Sequence, residues 1–227
     1  MKPGTERIAG LLALMGDPHR SYPAIHVAGS NGKTTTSRLA SGLLAAHGLK
    51  PGLFTSPHLQ AVEERFSVGG EHMKPEELGA ALDDVMPFAE AYEARSGEGI
   101  TYFELTAALA FSWFAVQAVD AAVVEVGLGG RLDATNVLGA EVAAITSISL
   151  EHTEYLGDTV AAIAAEKSAI LAPGRTLVTG NLPPDALEVA GRRAADTGSA
   201  WLRQGEDFGV TEARRTAGGW QVDLDGV

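Results

Sequence analysis

The sequence contains no cysteine, few aromatic residues and no long uninterrupted apolar run. The absence of cysteine excludes a disulfide framework and any thiolate-based metal site. No apolar segment approaches the roughly 18–20 uncharged residues that a membrane span requires. The polar N-terminal stretch MKPGTERIAG also lacks the apolar core of a secretory signal. We therefore expect a cytoplasmic protein with no membrane partner.

Basic residues are scarce as well. Lysine and arginine number 17 against 29 aspartates and glutamates, which gives a formal net charge of −12. This acidic excess argues against a nucleic-acid partner, since a phosphate backbone requires a basic protein surface. It does not exclude a nucleotide, because small anions are held by local backbone N–H groups and one or two cations.

The order of the segments predicts the fold class. Short β-type segments alternate with longer helical patterns, which predicts an α/β fold with a mostly parallel sheet flanked by helices. The predicted strands are Ala24–Ala28, Pro51–Thr55, Ala121–Val126, Val142–Ile148 and Thr176–Thr179. The predicted helices lie near 5–15, 33–47, 75–93, 102–117, 158–171 and 185–196. Residues 64–73 predict a hairpin, and residues 201–227 predict a small β-rich C-terminal extension.

The segment HVAGSNGKTTT, residues 26–36, predicts a phosphate-binding loop. Gly32, Lys33 and Thr34 match the end of the Walker pattern, whereas Val27 stands where its first glycine belongs. A strand precedes the turn and an amphipathic helix follows it, so backbone N–H groups at the helix start would point at phosphates. Lys33 would reach the terminal phosphates, with Thr34 or Thr35 near the phosphates or Mg²⁺.

The predicted nucleotide-binding residues are Gly29, Ser30, Asn31, Gly32, Lys33, Thr34 and Thr35. The alternative is an ordinary helix N-terminus that Ser30 or Asn31 caps.

Three polar residues lie at or after the carboxyl ends of predicted strands. Glu125 lies near the end of an apolar run, Ser56 comes shortly after LF and His152 follows SISLE. Ligands of open α/β sheets bind at the carboxyl ends of the strands, so these residues form a candidate Mg²⁺ set if phosphates and water complete the coordination. The alternatives are a salt-bridged Glu125, a hydrogen-bonded loop His152 and a Ser56 that caps a turn before Pro57.

Lys167 lies on the apolar stripe of its predicted helix, together with Val160, Ile163 and Ile170. From the residues alone, the favoured interpretation is a lysine whose ammonium reaches water. The alternative is a partly buried lysine with a lowered pKa, which becomes a nucleophile toward CO₂ and forms a carbamate.

Several long motifs carry a family resemblance. The loop resembles the G-[TS]-N-G-K loop of the Mur ligase superfamily, whose members routinely lack the first Walker glycine. Longer stretches closely resemble the folylpolyglutamate synthase and bifunctional dihydrofolate synthase family. These are TSPHL (55–59), TYFELTAALAF (101–111), EVGLGGRLDATN (125–136) and SLEHTEYLGDTVAAIAAEKSAILAPG (149–174).

The resemblance implies an ATP-dependent amide ligase with a Mur ligase central-domain fold. ATP would phosphorylate the carboxylate of dihydropteroate, or the γ-carboxylate of a reduced folate, and L-glutamate would displace phosphate from the acyl phosphate. Such a transfer between anions requires charge neutralisation and alignment, which Lys33 and two Mg²⁺ ions would supply. We expect a monomer that uses only these small-molecule partners.

The resemblance also assigns roles to single residues. It implies that Ser56, Glu125 and His152 bind Mg²⁺ and that Lys167 is carbamylated, which reverses the interpretation from the residues alone. The catalytic residues would be Lys33, Lys167 and His152. The substrate-binding residues would be Thr101, Phe103, Arg131, Asp133 and Ala134. Without the resemblance, Phe103 could equally be a core residue and Asp133 a turn former.

Two features depart from the family pattern. Thr34-Thr35 stands where most folate ligases carry Gly-Ser, as in peptidoglycan Mur ligases. Because only 32 residues precede Lys33, we nevertheless expect no UDP-binding domain of the kind that those enzymes carry. From the resemblance we also expect the chain to lack the family's C-terminal domain. We therefore expect residues 1–200 to form the ATP-binding and pterin-binding domain, 201–227 to form its β-rich end, and the isolated chain to turn over slowly or not at all.

Three alternative functions remain open at this point. One is another Mur-type amino-acid ligase, of the peptidoglycan or cyanophycin kind. Another is a non-catalytic ATP-binding module. The third is a phosphate-loop kinase or GTPase, which is the weakest because it does not explain the segment EVGLGGRLDATN or the position of Lys167.

Overall fold

The computed structural model describes residues 4–226, and its main element is an eight-stranded sheet. The strands are β1 (Ala24–Ala28), β2 (Pro51–Phe54), β3 (Phe66–Val68), β4 (Glu71–His72), β5 (Ala121–Glu125), β6 (Val142–Ile145), β7 (Thr176–Thr179), β8 (Ala200–Arg203), β9 (Gly209–Thr216) and β10 (Gly219–Asp225). The helices are α1 (Glu6–Leu14), α2 (Lys33–Ala46), α3 (Pro75–Ser96), α4 (Tyr102–Val116), α5 (Thr153–Leu156), α6 (Val160–Ser168) and α7 (Pro184–Asp196).

The sheet has the strand order β4-β3-β2-β5-β1-β6-β7-β8. The six strands from β2 to β8 in that order run parallel, and β3 and β4 add an antiparallel edge. The predicted α/β fold with a mostly parallel sheet is therefore confirmed. Because the central strands are parallel, their carboxyl ends meet at one edge, where the loops after β1, β2, β5 and β6 come together.

Helices cover both faces of the sheet. On one face, Phe54 and Val124 pack in a large core cluster with residues of α1, α3 and α4. A second cluster on the same face joins Ala143 and Leu177 to α6 and α7. On the opposite face, residues of β1, β2 and β5 such as Val123 pack against α2. Alternation along the strands produces this division, since successive side chains point to opposite faces.

Both β-rich predictions agree with the structure. β3 and β4 form the hairpin predicted for residues 64–73, and Gly69 and Gly70 turn the chain with φ of 60° and 90°. These are left-handed backbone angles that glycine adopts without steric cost. Near the C-terminus, β9 and β10 form a separate antiparallel hairpin.

Several predicted boundaries were wrong, and two of them adjoin the site. The strand predicted over Val142–Ile148 ends at Ile145, and the hydroxyl groups of Thr146 and Ser147 hydrogen-bond the loop after β1. The helix predicted near 158–171 runs from Val160 to Ser168. Its start is fixed by Thr159, whose hydroxyl accepts a hydrogen bond from the Ala162 amide.

The predicted division into residues 1–200 and 201–227 extends beyond the described range at both ends, by residues 1–3 and residue 227. The division stays a prediction. Its boundary falls within β8 (Ala200–Arg203), which pairs with β7 in the main sheet. None of the helices formed by residues 4–226 combines the length and the apolarity needed to cross a bilayer.

Candidate functional site

The loop between β1 and α2 has the geometry of an anion site. Gly32 occupies the N-cap of α2 with φ of 83°, and no side chain caps this helix. The interpretation that Ser30 or Asn31 caps the helix is therefore wrong. The amide groups of the first helical turn have no partner within a helix, so they are available to a bound anion together with the positive end of the helix dipole.

Residues after β6 hold this loop in place. The Ser30 amide donates to the Ser147 carbonyl at 2.8 Å, and the Asn31 amide donates to the Ser147 hydroxyl at 2.9 Å. The Thr146 hydroxyl donates to the Asn31 carbonyl at 2.6 Å. The Ser149 amide donates to the Ser30 hydroxyl at 3.0 Å. Ser30 and Asn31 thus hydrogen-bond the segment that follows β6, and these hydrogen bonds fix the shape of the loop.

A cavity of about 330 Å³ opens beside the loop, and we call it the phosphate cavity. Its lining consists of Ser30, Asn31, Gly32, Lys33, Thr34, Thr35, Ser56, Pro57, Glu125 and Gly127. It therefore brings six of the seven predicted nucleotide-binding residues together with two of the three predicted metal ligands. The seventh, Gly29, directly follows the last residue of β1.

Glu125 is buried at the end of β5 and faces the phosphate cavity. Its carboxylate accepts hydrogen bonds from the Thr34 hydroxyl at 2.8 and 3.0 Å and from the Ser56 amide at 3.2 Å. Among the described residues it forms no ion pair, so the salt-bridge interpretation is wrong. Burial raises the pKa of Glu125, and the hydrogen bond from Thr34 opposes that rise. Burial therefore disfavours the ionised form of Glu125, and the charges of Lys33 and Arg38 oppose that effect only in part.

The donor set around Glu125 fits a hard cation. One carboxylate and the nearby oxygens of Thr34 and Ser56 are ligands of the kind that Mg²⁺ prefers, and phosphate oxygens and water complete such sites. His152 is exposed, precedes α5 with φ of 44° and is not among the residues that line the phosphate cavity. Its assignment as a ligand stays a prediction.

Two lysines converge on the carbonyl of Gly29. The Lys33 ammonium donates to it at 2.8 Å and the Lys167 ammonium donates to it at 3.2 Å. Lys167 also forms an ion pair with Glu151 at 2.7 Å, and its side chain is 2% exposed. The interpretation that the Lys167 ammonium reaches water is wrong, because the helix directs it inward beneath the loop.

The surroundings of Lys167 affect its charge. Burial lowers the pKa of Lys167, and the hydrogen bond and the charge of Glu151 oppose that change. Burial alone would raise the pKa of Glu151, but the hydrogen bond and charge of Lys167 hold it below its usual value. The net result for Lys167 is an amine that loses its proton more easily than an exposed lysine.

A second cavity, of about 250 Å³, lies next to the loop after β5, and we call it the apolar pocket. It contains all five predicted substrate-binding residues. Its lining consists of Gly4, Arg7, Thr101, Phe103, Glu104, Leu128, Gly129, Gly130, Arg131, Leu132, Asp133, Ala134, Tyr155, Leu156 and Glu166.

Phe103 lies between the two cavities. A Cβ added to Gly127 would overlap the Phe103 ring, so the ring lies directly on the backbone of a residue that lines the phosphate cavity. Phe103 is partly buried and its ring centroid lies 6.1 Å from that of Phe54. The residue therefore packs against the core and also lines the apolar pocket, so both interpretations of it apply.

The Asp133 carboxylate is committed to its own loop. It accepts hydrogen bonds from the Leu128 amide at 2.9 Å and from the amide and hydroxyl of Thr135 at 3.0 and 2.5 Å. Asp133 is thus a turn former, as the alternative interpretation has it. The Thr135 hydroxyl in turn lies 2.7 Å from Nε2 of His26, whose pKa burial lowers to about 3. His26 is therefore neutral at pH 7. Because the Thr135 hydroxyl already donates to Asp133, Nε2 of His26 is the donor in this hydrogen bond.

Arg131 and the glycines beside it attach the loop after β5 to α6. The Arg131 side chain pairs with Glu166 at 2.8 Å, and its amide donates to the Glu166 carbonyl at 2.9 Å. A Cβ on Gly130 would lie 2.5 Å from the same carbonyl and 3.0 Å from Cα of Lys167. A residue that lines the apolar pocket is therefore in close contact with the backbone of the buried lysine.

The sequence-based reasoning did not find the ion pair between Arg7 and Glu104. Arg7 bonds both carboxylate oxygens of Glu104, at 2.8 and 3.2 Å, and both residues line the apolar pocket. Glu104 also accepts a hydrogen bond from the Thr101 amide while the Thr101 hydroxyl accepts one from the Glu104 amide. The T-x-x-E spacing of TYFE is the sequence signature of this capping box, whereas no local pattern indicates Arg7 as the partner of Glu104.

Comparison with known protein families shows which family the chain belongs to. The Mur ligase middle domain matches residues 27–181, which include the phosphate loop, Glu125 and Lys167. The chain belongs to the Mur ligase family. Its relatives within the family are folylpolyglutamate and dihydrofolate synthases, so the resemblance seen in the sequence motifs is confirmed.

Two curated relatives show the extent of the similarity. The dihydrofolate synthase/folylpolyglutamate synthase of Mycobacterium tuberculosis is 38% identical over 238 residues, covering 99% of this chain and 49% of the relative. The folylpolyglutamate synthase of Lacticaseibacillus casei is 39% identical over 209 residues, covering 92% and 49%. This Mur ligase chain spans about half the length of these relatives.

Solved structures share the fold. Mycobacterium tuberculosis folylpolyglutamate synthase, complexed with ADP and AMPPCP, superposes with a TM-score of 0.94 at 38% identity and covers 98% of this chain and 52% of that one. A complex of FPGS with AMPPCP and folate gives a TM-score of 0.94 at 37% identity, covering 98% and 54%. The Mur ligase central-domain fold predicted from the sequence is therefore confirmed.

Proposed function

We propose that this protein is an ATP-dependent ligase that joins L-glutamate to dihydropteroate, to the γ-carboxylate of reduced folates, or to both. The observation that carries the proposal is the wall between the two cavities, where the Phe103 ring lies on Gly127. A molecule in the apolar pocket would lie beside a nucleotide in the phosphate cavity. Phosphoryl transfer requires this proximity of donor and acceptor.

The relatives support both halves of the proposal. Those of Mycobacterium tuberculosis and Lacticaseibacillus casei are named folylpolyglutamate synthases, and one solved neighbour contains both AMPPCP, an ATP analogue, and folate. The apolar pocket suits a flat ring with an apolar body, since aromatic rings stack favourably on a partly buried phenylalanine.

The proposed reaction has two steps. The carboxylate oxygen of the acceptor attacks the terminal phosphorus of ATP, which breaks the bond to the bridging oxygen and gives an acyl phosphate and ADP. The amine of L-glutamate then attacks the acyl carbon, phosphate leaves with the carbon–oxygen bond electrons, and the amine loses a proton. Lys33 and the amide groups at the start of α2 bind the terminal phosphates and align them.

Glu125 and Ser56, together with His152, would hold Mg²⁺, with two ions in all. Mg²⁺ neutralises phosphate charge when bound. For Lys167, the lowered pKa supports carbamylation. The ammonium first loses a proton, and the neutral amine then adds to CO₂ and loses a second proton, so that an anion replaces a cation. That change requires Lys167 to give up its ion pair with Glu151.

The acceptor would bind through five residues of the apolar pocket. Phe103 stacks on the pterin or aminobenzoate ring. Thr101 and Ala134 border the ring, and Arg131 lies at the exposed mouth. Asp133 shapes the loop through its own hydrogen bonds, so its contribution to binding acts through the backbone of that loop.

Calorimetric titration with AMPPCP tests the nucleotide half of the proposal. We expect saturable binding that depends on Mg²⁺ and that Lys33→Met weakens at least about tenfold, since a charge-assisted phosphate contact is lost. Lys74→Met, which removes an exposed lysine before α3, should leave the affinity unchanged. Separate titrations with dihydropteroate and a tetrahydrofolate then identify the acceptor. Nucleotide binding without binding of either pteridine would contradict the ligase proposal.

A further inference from the structure

Arg65 is a buried guanidinium that lacks a counterion. The residue is 8% exposed, and no carboxylate in the described range of residues 4–226 forms an ion pair with it. Its Nε donates to Nδ1 of His58 at 2.9 Å, and no hydrogen bond from its two terminal nitrogens occurs in that range. Buried arginines are almost always paired with an acid, because desolvation of an unpaired charge is costly.

The acid next to Arg65 in the chain is engaged elsewhere. Glu64 precedes Arg65 in the chain, but its carboxylate accepts hydrogen bonds from the amides of Leu59, Gln60 and Ala61 at 2.8–3.0 Å. The guanidinium instead lies over the ring of Tyr102, 5.6 Å from its centroid. A cation–π contact of this kind orients an arginine and leaves the edge of its planar fork available for an anion.

Arg65 lines neither cavity, but its backbone and the ring beneath it adjoin residues that do. Its carbonyl accepts a hydrogen bond from the Thr55 amide at 3.0 Å, one residue before Ser56 of the phosphate cavity. The ring beneath it, Tyr102, stands between Thr101 and Phe103, which line the apolar pocket. Arg65 is therefore attached to the strand end on one side and to the start of α4 on the other.

We propose that Arg65 binds the carboxylate of the acceptor, the group that becomes phosphorylated, and directs it toward the phosphate cavity. The inference rests on the proposed function and adds a substrate contact to it. A carboxylate is the favoured anion, because a planar guanidinium matches it with two parallel hydrogen bonds. The terminal phosphates already have Lys33 and the amide groups of the loop.

The test compares dihydropteroate with an analogue that carries hydrogen in place of the carboxylate. Both are titrated by calorimetry into the wild-type chain, Arg65→Met, Arg65→Lys and the control Arg20→Met, which removes an exposed arginine. Arg65→Met should weaken dihydropteroate binding roughly tenfold to a hundredfold and leave binding of the analogue unchanged. Arg65→Lys keeps the charge without the fork and should show a smaller loss that is again confined to the acid.

Each contrary result has a distinct meaning. Equal losses for both ligands in the two Arg65 variants would show a purely structural role and overturn the inference, as would a wild-type chain that binds both ligands equally well. A loss of AMPPCP affinity with dihydropteroate affinity retained would assign Arg65 to the phosphates. If the wild-type chain binds neither pteridine, the proposed function itself fails. Arg65→Lys keeps the test decisive if Arg65→Met does not fold.

Discussion

Glu125 is the side chain to which we assign the central role in cation binding. Its carboxylate is buried, accepts hydrogen bonds from Thr34 and Ser56, and has a pKa that burial raises. A charge in such a place costs stability unless a ligand compensates it. Function and stability therefore make opposite demands at this position, as is common in active sites.

Replacement of the Glu125 carboxylate should affect nucleotide affinity and the free energy of unfolding in opposite ways. Glu125→Gln should lower Mg²⁺-dependent AMPPCP affinity at least about tenfold, because a ligand of the cation is lost. Its free energy of unfolding at pH 7.5 should equal or exceed that of the wild type. The sign follows from the raised pKa: the ionised form is disfavoured in the folded state above that pKa, and the penalty disappears as the pH falls below the usual value.

Calorimetry and urea unfolding measure these two quantities, with Glu188→Gln as an exposed control on α7. Unchanged nucleotide affinity in Glu125→Gln would contradict the assignment of Glu125 to the cation.

His26 sets a pH dependence of stability. Its pKa is lowered by burial from 6.5 to about 3 in the folded protein, so the unfolded chain binds a proton that the folded chain excludes. Stability is therefore lost as the pH falls from about 6.5 toward 3, at up to about 1.4 kcal/mol per pH unit from this group. Unfolding measured at pH 7 and at pH 5 should show a loss about 2 kcal/mol larger for the wild type than for His26→Gln. A difference between the two proteins that does not vary with pH would exclude His26 as the cause.

Sequence reasoning at the residue scale succeeded where the signal was local. The phosphate loop is recognisable because its glycine, lysine and threonine are consecutive, and Glu125 is recognisable as an acid in an apolar run. The partners of Glu104 and Lys167 were not predictable, since Arg7 is 97 residues from Glu104 and the rotation of α6 decides whether Lys167 faces water or the loop. Tertiary packing alone determines such contacts.

Among the elements, the loop after β5 and helix α6 depend most closely on one another. Gly130 contacts the backbone of α6, so a methyl group there has no flexible side chain to displace. Gly130→Ala should lower the free energy of unfolding by about 1–3 kcal/mol, the usual cost of overpacking. It should also weaken dihydropteroate binding, because the loop that lines the apolar pocket must move.

Gly42→Ala provides the matched control, because no heavy atom lies within 4 Å of the added Cβ on α2. This change should stabilise the protein by up to about 1 kcal/mol through helix propensity. Urea unfolding compares the two variants. Equal stability of both would contradict the close contact between the loop and α6.

Element boundaries failed where the chain changes its hydrogen-bond partners. Residues 146–148 are apolar and polar in the manner of a strand, yet Thr146 and Ser147 bond the phosphate loop. Helix α5 has only four residues, Thr153–Leu156, and follows His152 in a left-handed conformation. One helical turn contains too few residues for a periodic pattern, so the sequence could not predict it.

At the scale of the whole molecule, parallel strands bring distant motifs to one edge of the sheet. The alternation of strand and helix patterns was enough to predict this topology, because a parallel sheet requires crossover connections. The two cavities and the wall between them were beyond sequence reasoning, since they depend on how Phe103 of α4 packs on Gly127 after β5. The central claim is that these cavities hold the nucleotide and the acceptor of one reaction.

Calorimetric titration of dihydropteroate into the chain with Mg²⁺ and AMPPCP tests that claim most directly. Phe103→Ala removes the ring between the cavities, and Phe88→Ala removes a more exposed ring on α3 as the control. We predict saturable binding of one dihydropteroate per chain, weakened at least about tenfold in Phe103→Ala by loss of stacking and unchanged in Phe88→Ala. No binding to the wild-type chain, or equal binding to both variants, would contradict the account.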